Sequence, residues 1–180
     1  MRVKAKKWFW AWQFDKEEKW LNEMAARGLN LIAVGFNTYY FEEGLPGEYT
    51  VRMEMLNSWP GSAVSRQYIR FVEDTGAECV GTFLRWAFFR KKTELGKFDL
   101  FSDVDSRIAH VSRILLLCGI VSLLMAYNIV NMTFQYLEYQ NFFMAFVGGF
   151  CVVMEVLMIF GIGRLWRMLR KLKKDRTLHE

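Results

Sequence analysis

Two apolar runs dominate the back half of the chain. From Ile114 to Met132, and again from Phe142 to Ile162, hydrophobic residues follow one another with Glu155 as the only charge. Wound as an α-helix, each run would extend roughly 28–31 Å, close to the ~30 Å hydrocarbon thickness of a bilayer. The front half is patterned differently. Trp8, Trp10, Trp12 and Phe14 recur at every second position and predict a strand with an aromatic face. Asp15 and Glu18 have the spacing of a capping box. The helix predicted from Lys16 presents Trp20, Leu21 and Met24 on one stripe and stops at Gly28.

Leu29 to Glu42 reads as extended, with a kink at Gly35, ahead of the turn sequence EEGLPG. Alternation from Glu48 to Leu56 predicts another strand. A second helix over about 62–75 carries Val64, Tyr68, Phe71 and Val72 on its stripe and ends at Gly76. The last predicted strand, Val80 to Arg90, has Leu84, Trp86 and Phe88 on one face. The resulting order, βαββαβ, is that of an α+β ferredoxin-like domain, with helices on one face of an antiparallel sheet. The uncovered sheet face would carry Phe9, Ala11, Phe83, Arg85 and Phe89. That set is apolar for a solvated surface and is the candidate interface for a cytoplasmic protein partner or a second copy.

Charge gives these segments an orientation. The 180 residues carry a net +5, and residues 114–163 contain no Lys or Arg. Basic residues flank both runs on the sides away from the short connection, Thr133 to Asn141. The positive-inside bias therefore predicts a two-span protein of the cell membrane with both termini cytoplasmic. Ser102 with Asp105 can cap a helix whose apolar stripe is Val104, Ile108, Val111 and Leu115. Arg107, His110 and Arg113 on that helix, with Arg164, Arg167, Arg170 and Lys171 after the second span, are expected to meet lipid headgroups. A basic tail beside an apolar span is read as facing anionic lipid, with no direct binding of nucleic acid. The predicted organisation is a cytoplasmic domain over 1–92, a linker and amphipathic juxtamembrane helix over 93–113, a transmembrane helical hairpin over 114–163 and a basic tail over 164–180.

Candidate chemistry is sparse. A carboxyl inside a span is costly unless protonated or hydrogen-bonded, so Glu155 needs a partner, and Ser122 lies at a similar depth. Small residues at helical spacing, Cys118, Ser122 and Ala126 on one run and Ala145 and Gly149 on the other, suit close helix packing. The 3 cysteines form no CxxC pair, which argues against a zinc site or disulfide framework. Asp103 and Asp105 have the spacing of helix caps. No nucleophile–base or metal constellation is apparent, so neither a cofactor nor an enzymatic activity is expected.

Three stretches carry a resemblance: WFWAWQFDKEEKWLNEMAARGLNL (Trp8–Leu31), YIRFVEDTGAECVGTFLRWAFFRKK (Tyr68–Lys92) and FDLFSDVDSRIAH (Phe98–His110). Together they resemble the DUF2812 family, bacterial proteins of unknown function. The resemblance carries over no catalytic residue. It implies proximity to a PadR-like transcriptional regulator, beside which members often lie. The expected function is thus a non-enzymatic, membrane-anchored sensory or regulatory protein whose cytoplasmic domain binds a protein partner. The alternatives are a small-molecule-binding or transport-accessory protein that oligomerises through its spans, and an immunity-type membrane protein.

Overall fold

The computed structural model describes residues 2–101, 103–140 and 142–177. The chain divides into two compact units, with the boundary between Ser102 and Asp103. The first is an α+β domain of six strands and two helices: β1 (Arg2–Lys6), α1 (Phe14–Ala26), β2 (Leu29–Gly35), β3 (Thr38–Glu43), β4 (Tyr49–Met55), α2 (Ala63–Glu73), β5 (Ala77–Phe83) and β6 (Trp86–Lys92). The strands form two antiparallel three-stranded sheets, ordered β1-β3-β2 and β4-β6-β5.

The βαββ unit therefore occurs twice in tandem with the same strand order. The local details repeat as well. Gly28 and Gly76 follow the two helices with φ +81 and +84. A Cβ on Gly28 would also come within 2.7 Å of the Gly44 carbonyl oxygen. Each hairpin carries a bulge at the corresponding place, between Leu31 and Ala33 and between Cys79 and Gly81.

This arrangement corrects the predicted βαββαβ order. The extended stretch 29–42 is a hairpin folded about Phe36 and Asn37, and 80–90 is a hairpin folded about Leu84 and Arg85. The run from Trp8 to Phe14 is not a strand. The strand before it is the basic segment Arg2–Lys6, which pairs with β3. The aromatic run instead folds on itself through a 3₁₀ turn at Ala11–Gln13, stacking the Trp10 and Trp12 rings 5.1 Å apart. The helix starts at Phe14 with Gln13 at its N-cap, so Asp15 lies inside the first turn rather than at the cap, and Glu18 accepts a hydrogen bond from Met53 N at 3.0 Å. Asn22 both donates to the Val51 carbonyl and accepts from its N–H, at 2.9 Å each. Side chains of α1 thus satisfy the open edge of β4, which would otherwise be exposed for pairing.

The core lies in two parts on opposite faces of β6. Phe88 joins Leu21 of α1, Leu31, Tyr39, Phe41, Val51 and Met53. Phe89 joins Val72 of α2, Leu56, Ala77, Ala87 and Phe98. Phe98 was assigned to the linker by sequence; its burial carries the domain past residue 92. The α2 stripe is also rotated from the predicted one: Ser65 and Val72 are buried, whereas Val64 and Phe71 are exposed.

Arg90 ties the sheets together. From β6 it donates to the Leu31 carbonyl of β2 at 2.9 Å and to Glu42 of β3 at 3.0 Å, and it pairs with Glu78 at 2.8 Å. Arg90→Met is expected to destabilise the domain by about 2 kcal/mol, because both carboxylates are half-exposed and can rehydrate. Denaturant unfolding of the variant measures this; an unchanged midpoint would remove Arg90 as a structural tie.

The second unit is a helical hairpin of α3 (Val104–Tyr139) and α4 (Phe142–Thr177). The Asp103 carboxylate caps α3 by accepting from Ser106 N at 2.6 Å. The predicted cap Ser102 lies outside the described residues. Apart from Gln140 (φ 49) and Asn141, which also lies outside the described residues, the expected loop 133–141 is helical. Each helix has 36 residues, roughly 54 Å at 1.5 Å per residue, so each is longer than a bilayer core is thick. Both are long and apolar enough to cross a membrane. Large side chains along them, including Leu123, Phe142 and Phe146, are exposed rather than packed into a core.

Candidate functional site

The α+β domain contains a cavity of about 210 Å³ at the tips of its two hairpins. Its walls come from four places. The folded aromatic segment supplies Trp8, Phe9, Trp10 and Ala11. The first hairpin supplies Phe36, Asn37 and Tyr39, and the equivalent second hairpin supplies Phe83, Leu84, Trp86 and Phe88. Helix α1 contributes Glu17, the only ionisable carboxyl in the lining.

Local geometry explains why aromatic groups converge there. Both hairpins turn in two residues, and the turns place Asn37 (φ 49) and Leu84 (φ 52) in the left-handed region. Asn tolerates that region, whereas for Leu it is strained. The tight turns bring Phe36 and Phe83 together, with ring centroids 5.8 Å apart. Trp8 meets Phe36 edge-to-face at 5.8 Å and Trp10 at 5.3 Å, and Phe14 stacks on Trp86. Lys7 N donates to the Asn37 carbonyl at 3.2 Å and anchors the aromatic segment to the first hairpin.

Glu17 is the chemically distinctive member. Its Oε1 accepts a hydrogen bond from the Tyr39 hydroxyl at 2.6 Å. No other hydrogen bond or ion pair reaches this carboxyl among the described residues. Burial raises its pKa from 4.5 to about 7, and the Tyr39 hydrogen bond partly offsets that rise. Tyr39 is pushed well above the ordinary phenol range, first by burial and then by the Glu17 charge. The site therefore holds a carboxyl poised to change charge near neutrality within an aromatic enclosure.

The sequence-selected interface residues separate in three dimensions. Phe9, Ala11 and Phe83 line this cavity. Arg85 folds back to donate to the carbonyls of Leu56 and Asn57 at 2.7 Å each, closing the end of β4. Phe89 is completely buried beneath α2. The five do not share a free sheet face, because the last predicted strand is a hairpin and β6 has core on both sides. Glu17, Trp8, Trp10, Phe36, Tyr39 and Trp86 were not selected. A usable signal existed: Glu17 lies on the same helix face as Trp20, Leu21 and Met24, where an unpaired acid is out of place.

In the hairpin, Ser122 Oγ donates to Glu155 Oε1 at 2.5 Å. Cys118 is buried on the same α3 face, while Gly148 rather than Gly149 approaches α3, at Met132. His110 is buried, on the α3 face shared with Ile114 and Cys118. That burial corrects its placement among the headgroup contacts: its spacing of four from Ile114 puts it on the packed face. Arg107 is exposed and Arg113 half-buried. On α4, Arg167, Arg170 and Lys171 are exposed and Arg164 is half-buried.

The model of a family described as a protein of unknown function, DUF2812, matches residues 13–123. That span runs from the end of the aromatic segment through both hairpins and into α3. No curated protein and no solved structure matches the chain.

Proposed function

We propose that this chain, which belongs to the DUF2812 family, is a non-enzymatic, membrane-anchored sensor that binds a small molecule in its α+β domain and passes the binding state to a protein partner. The observation that carries this reading is the aromatic cavity holding Glu17 at the tips of two equivalent hairpins. A ligand seated there touches both βαββ units at once and can alter how they fit together. No catalyst is needed for that role. The hairpin would hold the domain at the cytoplasmic face of the membrane, with both termini inside, as the distribution of Lys and Arg favours. The partner in this reading is a PadR-like regulator.

The transport-accessory alternative rests on Glu155. Its hydrogen bond to Ser122 within one hairpin favours an internal structural role for that carboxyl over a subunit contact. The immunity-type alternative has no feature of its own in its favour.

Two measurements test the proposal. A single cysteine at Gln140, in a chain otherwise free of cysteine, is expected to react with an impermeant maleimide from outside intact cells. Labelling only after lysis would reverse the orientation. A co-expressed PadR-like regulator is expected to co-purify with the full chain from membranes. Ala11→Trp, which fills the cavity from an exposed turn position, should change its recovery at least about threefold, a shift of roughly 0.7 kcal/mol. No recovery, or recovery indifferent to that substitution, would count against the sensor reading.

A further inference from the structure

Resting on the ligand-binding reading above, we infer that the cavity takes a compact organic cation, a quaternary or alkylated ammonium, held between aromatic rings and the Glu17 carboxylate. Three observations converge. The lining is dominated by aromatic residues, among them Trp8, Trp10, Phe36, Phe83 and Trp86. Aromatic enclosures of this kind attract cations through the ring quadrupole and favour alkylated ammonium groups, which lose little hydration on entering. The second is that no ion pair reaches Glu17 among the described residues. Its one hydrogen-bond partner, Tyr39, supplies a dipole but no charge. A carboxylate desolvated without a counter-ion is unfavourable, and a ligand that brings the counter-ion recovers that cost at the moment of binding.

The third observation lies next to the cavity. Lys7 holds its ammonium 4.7 Å from the Trp20 ring centroid and 5.2 Å from that of Phe9. The chain thus already places a cation over one ring of the cavity wall, Phe9, and over Trp20 beside it. The cavity itself offers the same chemistry with the added carboxylate and no lysine in its lining. Its size, about 210 Å³, suits a small head group rather than an extended chain.

The repeat makes the assignment specific to one half of the domain. Tyr39 pairs with Val34 across the first hairpin, and the corresponding pair in the second is Thr82 with Ala87. The same step along the chain leads from Glu17 to Ser65, whose hydroxyl donates to the Ser58 carbonyl. The acid and its phenol are therefore not demanded by the βαββ scaffold, which in its second copy has serine and alanine in their places.

Titration calorimetry on the full chain in nanodiscs tests the inference with a matched pair of probes. Choline and 3,3-dimethylbutan-1-ol have the same shape and differ by the exchange of a charged nitrogen for carbon. Injections into empty nanodiscs correct for partitioning. The expected result is that choline binds about tenfold or more tightly than the alcohol. Glu17→Gln, which keeps the shape and an acceptor for Tyr39, should abolish that preference. Trp8→Ala, at a half-exposed wall position, should weaken choline. Equal binding of the two probes, a preference that survives Glu17→Gln, or binding of neither probe to the folded chain would overturn the cation assignment. Failure of this inference and failure of the sensor reading remain distinct. If Ala11→Trp alters regulator recovery while no cation preference exists, the cavity is functional but its ligand is of another class.

Discussion

Glu17→Gln is expected to stabilise the α+β domain above pH 7 by on the order of 3 kcal/mol and to leave its stability nearly unchanged below pH 4.5. The native pKa of Glu17 is about 7 against an ordinary value of 4.5. Between those limits the native state holds the proton more tightly than the unfolded chain. Native stability therefore falls as pH rises through that interval and is constant on either side of it. Glutamine has no proton to lose, so the variant should lack this slope while keeping the hydrogen bond from Tyr39. Tyr39→Phe should act the other way. It removes a bond that favours the ionised carboxyl, so the fall should persist to higher pH. Urea unfolding of the full chain in nonionic detergent, followed by tryptophan fluorescence at several pH values, measures both effects. Of the tryptophans, only Trp166 lies outside the α+β domain. Parallel stability curves for wild type and Glu17→Gln would mean that the carboxyl is solvated and that the site is not as described. A carboxyl that costs stability is a poor structural choice and a reasonable ligand-binding one.

Physical cues of differing strength explain what could be read from the chain. The two apolar helices were legible because bilayer-length apolar runs holding a single acid between them, Glu155, are rarely built into a soluble core. Gly28 and Gly76 were legible as helix ends because each takes a left-handed φ that glycine adopts freely. The hairpins were hidden for the converse reason. Their turns are Phe36-Asn37 and Leu84-Arg85, without the glycine that usually marks a two-residue turn. Missing both turns merged four strands into two and concealed the tandem repeat, in which few positions are identical beyond Gly28/Gly76 and Phe41/Phe89. The aromatic run Trp8–Phe14 misled because alternation marks one-sided burial on a strand but does not require a strand. Here the rings pack on each other and form a cavity wall. The candidate site draws on four separated segments, so its residues become neighbours only through the hairpins that the pattern did not disclose. Glu17 alone left a local signal, an acid on an apolar helix stripe, and that signal was passed over.

Phe89 separates the two descriptions of the domain most sharply. On the βαββαβ reading it lies on an open sheet face, and Phe89→Ala should weaken an interface while leaving folding intact. In the structure its side chain is fully buried among Leu56, Val72, Ala77, Ala87 and Phe98. It stands on the central strand β6, opposite Arg52 on one side and Cys79 on the other. Truncation there leaves a cavity that a hydrogen-bonded sheet cannot collapse to fill, at a cost of about 3–5 kcal/mol. That is a large share of the ~5–15 kcal/mol available to a typical domain, so the variant should be close to unfolding at ordinary temperature. Phe71 provides the control. It is the same residue type, placed by the sequence pattern on the apolar stripe of α2, but it is 65% exposed. Phe71→Ala should shift stability by less than about 0.5 kcal/mol. Urea unfolding of the two variants side by side gives the answer. A neutral Phe89→Ala with a costly Phe71→Ala would invert the faces of β6 and α2. It would also undo the stacking of α2 against the second sheet, and with it the hairpin geometry that brings Phe83 and Trp86 to the cavity.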